Sequence, residues 1–121
     1  KQKKTFSKCK RCIVPYTGWI EWAVENNQKQ PYLLYSDKAY FAGLYDNSGF
    51  TILTKEANNN ISHIHNRQPV LLDKYDVGDW FTNNYDINKN DESIRFHKIS
   101  NHINNVKNND QKYLKEIDQI N

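Results

Sequence analysis

A chain of 121 residues, 37% of them hydrophobic, has room for one modest core, so a single domain spanning residues 1–121 is expected. No apolar run approaches the roughly 20 residues needed to cross a bilayer and no signal peptide is visible, which argues against a membrane partner and makes a cytoplasmic protein the expectation. The net charge of +3 is local: six Lys and Arg and no acid fall within the first eleven residues, whereas the remainder has 11 basic against 14 acidic side chains.

That basic arm, Lys1 to Lys10, reads as the end of a helix or an extended segment, suited either to lying along phosphates or to being a solvated tail. The first residue is Lys and Met is absent throughout, so a processed, truncated or partly covered chain is expected. Cys9 and Cys12 form a C-x-x-C pair. Structural zinc wants four ligands and the sequence has no second cysteine pair, so two reduced thiols and no metal are expected.

Arg11 to Val14 is β-prone and ends at Pro15, and Thr17-Gly18 supplies a turn. Trp19 to Val24 alternates as a strand, with Trp19, Glu21 and Ala23 on one face and Ile20, Trp22 and Val24 on the other. Glu21 is then either a carboxylate with a raised pKa, suited to acid–base chemistry, or a rim glutamate facing water. Asn26 to Gln30 reads as a polar loop. Pro31 to Tyr35 and Ala39 to Leu44 read as strands joined by a Ser36-Asp37-Lys38 turn, with Tyr45 to Gly49 as the next loop.

Phe50 to Thr54 and Gln68 to Leu72 are two further strands, bridged by a polar helical link in which Ala57, Ile61 and Ile64 recur at helical spacing. His65 falls off that apolar stripe and meets Arg67 at an element boundary. By itself the pair reads as a buried, satisfied histidine beside a solvated arginine, although its place at the boundary asks for a chemical explanation.

Asp73 caps a short helix through Val77 and Trp80-Phe81, and Asn83 to Glu92 is a long polar loop. Within that loop Asp86, Asn88 and Asn90 alternate like a calcium loop. Asp91 replaces the required glycine and His97 the bidentate glutamate, so calcium is excluded. Ile94 to Ile99 is a final strand, and Asp110 to Ile120 an amphipathic helix with Tyr113, Leu114, Ile117 and Ile120 on one face. About six short strands and several short helices predict an α+β fold: a curled, mostly antiparallel, barrel-like sheet flanked by short helices.

Five blocks in order resemble the SRAP family, the SOS response-associated peptidases that process abasic sites. RCIVPYTGWIEW from Arg11, KQPYLLY from Lys29, FAGLYD from Phe41, FTILTKEAN to IHNRQPVLL from Phe50, and FHKISNHINNVKNND from Phe96 are similar to its conserved segments. The resemblance implies SOS-response DNA repair: an N-terminal cysteine, freed by self-removal of the initiator Met, links covalently to an abasic site in single-stranded DNA through a thiazolidine. Lyase, hydrolase and protease labels follow from those two reactions, and no cofactor is implied. It implies that Glu21, in the E-W motif, and His65, in I-H-x-R, are catalytic, and that Arg67 and Thr54 contact DNA. The sequence departs from the pattern in starting at Lys1 without the family's Cys-Gly-Arg opening, so enzyme activity stays open. An internal cysteine has no free α-amine, so neither Cys9 nor Cys12 replaces that nucleophile. Gln68 stands where Met is usual and Trp19 where Phe is usual. The alternative expectation is a degenerate relative that binds single-stranded nucleic acid without covalent chemistry.

Overall fold

The computed structural model describes residues 9–104; the basic arm before Cys9 and the expected helix Asp110 to Ile120 lie outside the described residues. The described strands are β1 (Lys10–Pro15), β2 (Trp19–Glu25), β3 (Gln28–Tyr35), β4 (Tyr40–Asp46), β5 (Gly49–Ile52), β6 (Thr54–Glu56), β7 (Arg67–Pro69), β8 (Leu71–Leu72) and β9 (Arg95–Lys98). They are accompanied by one short helix, α1 (Val77–Phe81), and a 3-10 turn at Asn101–Asn104. Every strand pairing is antiparallel. The architecture is the expected α+β arrangement of curled antiparallel sheets with short helices at their edges, and among the described residues the sheets do not close into a barrel.

Local chemistry decides the turns. Asn26 and Asn27 both have positive φ, 52° and 65°, and Glu25 pairs directly with Gln28. Asparagine tolerates the left-handed region, and two such residues in succession make a turn whose twist matches the flanking strands. The loop expected over Asn26 to Gln30 is therefore only two residues long, and its last three residues join β3. The segment Ser36 to Lys38 does not close a hairpin: β3 pairs with β2 and β9, whereas β4 pairs with β1, β5 and β8. It is a bridge between sheets, anchored where Ser36 Oγ meets Ser93 Oγ at 2.7 Å and Lys38 Nζ approaches the buried Asp91 at 3.5 Å.

The two sheets meet around β4. One edge of β4 pairs with β1 along its length; the other pairs with β5 from Gly43 onward and with β8 at Tyr40 and Phe41. At the switch, Leu53 donates to Ala42 O, Ala42 to Val70 O, and Val70 to Leu53 O, each at 2.9 Å. This closed ring of three hydrogen bonds forks the chain, so that β5 continues into β6 and β7 into β8 while β6 and β7 pair with each other beyond the fork. Ala42 is wholly buried there.

Two cores flank this sheet. Ala23, Tyr32, Leu34, Ile61, Ile64, Leu71 and Ile94 form one, and Ala42, Val70, Leu72 and Trp80 the other. Leu71 and Leu72 point to opposite faces and both are buried, the mark of a strand covered on two sides. Tyr85 and Ile87 from the long polar loop pack on the second core, which sequence polarity had hidden. Trp80 anchors the five-residue α1 through its indole N–H to Cys12 O at 2.9 Å.

The close approach at the fork makes Gly43 indispensable, because a Cβ there would lie 2.9 Å from Cys12 Sγ and 3.1 Å from Thr51 O. Gly43→Ala is expected to destabilise the fold by about 1–3 kcal/mol, read as a lower midpoint in urea unfolding; an unchanged midpoint would mean the strands part at little cost.

Candidate functional site

Glu21 lies mid-way along β2 on the same face as Trp19 and Ala23, directly opposite Tyr32 of β3. That face turns toward the first core, while Ile20 and Val24 on the reverse are exposed. Of the two readings that alternation leaves open, partial burial is the observed one: 27% of the Glu21 side chain is accessible. Burial pushes its carboxyl pKa up, with the His65 ring partly offsetting it.

His65 arrives from the segment between β6 and β7. That segment is a series of tight turns and not the expected helix: Ile61 donates to Asn58 O, Ile64 to Ile61 O at 2.9 Å, and His65 to Ile61 O at 3.3 Å. These bonds do not continue as an i to i−4 ladder, and Asn side chains compete for the backbone. Asn60 Nδ2 reaches away to Ile94 O at 3.0 Å. The apolar spacing still does its packing, since Ile61 and Ile64 are buried and Ala57 packs beside them.

The His65 ring is hydrogen-bonded at Nδ1 and faces a carboxylate across a longer gap at Nε2. Nε2 lies 3.8 Å from Glu21 Oε1. Nδ1 lies 3.2 Å from the Arg67 N–H and 3.1 Å from the Arg67 carbonyl oxygen. In the neutral ring, Nδ1 accepts from Arg67 N–H and the ring proton sits on Nε2, facing the carboxylate; in the imidazolium, Nδ1–H can donate to Arg67 O. The same backbone thus accommodates both protonation states, as an acid–base group requires. His65 is not the buried histidine of the alternative reading, for 44% of its side chain is accessible.

The Arg67 side chain runs along the β6–β7 ribbon. Its Nη2 donates to Thr54 O at 3.1 Å and Thr54 Oγ1 at 3.3 Å, and the rest of its fork is exposed. The four sequence-derived site residues therefore form one continuous run, Glu21 to His65 to Arg67 to Thr54. A carboxylate and an imidazole stand at one end and a guanidinium at the other.

Other candidates fall elsewhere. Arg11 is absorbed by the fold: its guanidinium stacks 4.2 Å from the Trp80 ring centre and donates to Asn83 Oδ1 at 2.6 Å. Cys9 Sγ is 3.9 Å from Asp46 Oδ2, and burial, with Asp46 adding to it, pushes this thiol's pKa up; burial does the same at Cys12. No disulfide joins them, and no group of three His, Cys, Asp or Glu is placed to hold a metal among the described residues. Two residues beside the site were given no site role by sequence reasoning. His63 lies edge-on to Tyr32 and Phe96, with ring centres 6.2 and 5.3 Å away. Gln68 is buried, and the available signal was a lone amide in an otherwise apolar β-run.

Because burial raises the Glu21 carboxyl pKa above its usual 4.5, the folded chain holds that proton to higher pH than the unfolded chain. Its favourable contribution is complete below 4.5 and is lost as pH rises through the folded value. Glu21→Gln should therefore gain in melting temperature over the parent, by roughly a few degrees, as pH rises above 4.5. A pH-independent difference would show that burial does not dominate this carboxyl.

The family profile described as SOS response associated peptidase (SRAP) matches residues 1–106. Among curated relatives, "Abasic site processing protein HMCES" of Xenopus tropicalis is 27% identical over 88% of this chain and 43% of its own length. "Abasic site processing protein YedK" of Escherichia coli is 23% identical over 88% of this chain and 58% of its own. The chain thus spans about half the length of the curated relatives it matches. A crystal structure of a protein from Bacteroides thetaiotaomicron superposes with a TM-score of 0.75 at 27% identity, over 94% of this chain and 60% of that one. One from Bordetella bronchiseptica, 20% identical with a TM-score of 0.64 over 81% of this chain and 58% of that one, shares the fold.

Proposed function

Since the chain belongs to the SRAP family, we propose that it carries the acid–base and phosphate-contacting part of a protein that processes abasic sites in single-stranded DNA. The observation that carries this reading is the 3.8 Å approach of Glu21 Oε1 to His65 Nε2, with Arg67 and Thr54 linked to the same histidine.

An abasic deoxyribose is mostly a closed hemiacetal, and only its open aldehyde reacts with an amine. His65 moves the proton between the anomeric hydroxyl and the ring oxygen as the sugar opens. In the complete gene product, the α-amine of an N-terminal cysteine adds to the aldehyde carbon. Glu21, whose carboxyl pKa is raised by partial burial, gives a proton to the departing hydroxyl, water leaves, and an imine forms. The thiol sulfur then adds to the imine carbon, its proton passes to nitrogen, and a thiazolidine ring closes. Self-removal of the initiator Met exposes that cysteine. Arg67, steadied by Thr54, holds a flanking phosphate with the N–H groups that Thr54 leaves unused.

The complete gene product, mixed with a single-stranded oligonucleotide bearing one abasic site, is expected to give an adduct that survives heat and SDS. A complex seen only on a native gel would instead favour non-covalent binding. Glu21→Gln and His65→Ala should each slow adduct formation by about 10²-fold or more, and parental rates in both would remove these residues from the chemistry. Arg67→Ala should weaken binding to all sequences alike and reduce the salt slope by about 0.7, the share of one phosphate contact; an unchanged slope would argue against that contact.

A further inference from the structure

His63 stands two residues before His65 in the same run of turns, and Ile64 between them is buried in the first core. Both imidazoles flanking that anchor are exposed. The His63 ring is nevertheless held: it lies edge-on to Tyr32 and Phe96, and those two rings are edge-on to each other with centres 5.9 Å apart. Tyr32 is buried, its hydroxyl donates to Glu25, and Glu25 pairs with Lys98 Nζ at 3.3 Å. The wall behind His63 is thus tied to β2 and β9 as well as to β3. Tyr32 is also the direct cross-strand partner of Glu21. The wall that holds His63 therefore begins beside the carboxyl that faces His65.

We propose that the His63 ring is the stacking surface for the base next to the lesion and favours a purine there, which rests on the abasic-site reading of the Glu21 and His65 pair. Removal of a base strips its neighbours of one stacking face, so an aromatic ring beside the sugar site replaces a contact that the damaged strand has lost. His63 is suited to this. Edge contacts fix its plane, no ring lies parallel to it, and neither ring nitrogen has a hydrogen-bond partner among the described residues. A histidine that only completed the core would be covered, whereas this one is exposed. Stacking reads π surface and not hydrogen-bond pattern, so a purine gains more than a pyrimidine. The consequence is a preference for sequence context, distinct from the proton transfers at Glu21 and His65.

The complete gene product is titrated with single-stranded oligonucleotides in which a tetrahydrofuran, unable to open to an aldehyde, marks the lesion. The lesion is flanked on both sides by adenines, by thymines or by further base-less spacers. The parent should bind the adenine-flanked strand about tenfold more tightly than the spacer-flanked one, the scale of one base on one aromatic ring, with thymine between them. In His63→Ala that ratio should fall to about threefold or less. His63→Phe, which keeps a ring and loses the nitrogens, should restore it. In the parent, the His63 ring protons should move upfield on addition of the adenine-flanked strand, as protons beneath a base do, and should hold their shifts with the spacer-flanked one. A full adenine preference in His63→Ala, or unmoved ring protons, would overturn the proposal. Failure of His63→Phe to restore the preference would also overturn it, by assigning the effect to the ring nitrogens. If the parent forms no adduct with a true abasic site, the abasic-site reading falls, and these measurements on an unreactive strand still decide whether His63 stacks a base.

Discussion

The hydrogen-bonded ring of Ala42, Leu53 and Val70 is the constraint on which the site depends. A strand has two edges, and β4 spends one on β1 and divides the other between β5 and β8. Where the division occurs, three backbones must exchange partners without leaving a buried N–H or C=O unpaired. The ring achieves this with one donor and one acceptor from each residue. Small side chains allow it, for Ala42 and Gly43 are the two residues of β4 at the crossing. Beyond the ring, the β6–β7 ribbon leaves the sheet and projects the loop bearing His65 toward β2.

Aromatic packing brings β2 to meet it. Tyr16 stacks on Phe41 with ring centres 4.1 Å apart, and Trp19 lies edge-on to Phe41 at 5.7 Å. Phe41 belongs to β4 and Trp19 opens β2, so this trio locks the first residue of one sheet against the other. Glu21 follows two residues later on the same face. Its distance from the fork is thus set by rigid rings rather than by a flexible loop, while His65 comes from the segment between β6 and β7.

The site places polar groups where the core would otherwise continue. Glu21 shares a face with Ala23, and Gln68 is surrounded by residues of buried strands. A partly buried carboxyl and a buried amide both carry a desolvation cost. Both touch the His65 loop, one at the ring and one at the base.

Periodicity alone determined that Trp19 to Val24 is a strand with Glu21 on the face of Trp19 and Ala23, that Ile61 and Ile64 are buried, and that His65 stands off their stripe, because pattern follows side-chain direction. The ordered motifs identified Glu21, Thr54, His65 and Arg67 as one set, since spacing carries family information. Sequence could not show that Asn26-Asn27 alone closes the β2–β3 turn, that residues 58–65 turn without forming a helix, or that Arg11 is occupied by Trp80. Those outcomes rest on competition between local hydrogen bonds and partners distant in sequence. The meeting of Glu21 with His65, 44 positions apart, is likewise decided only when the fork at Ala42 directs the ribbon toward β2. So is the grip of Gln68 on Asn58, because a buried amide has no role until the fold supplies the backbone N–H that it accepts.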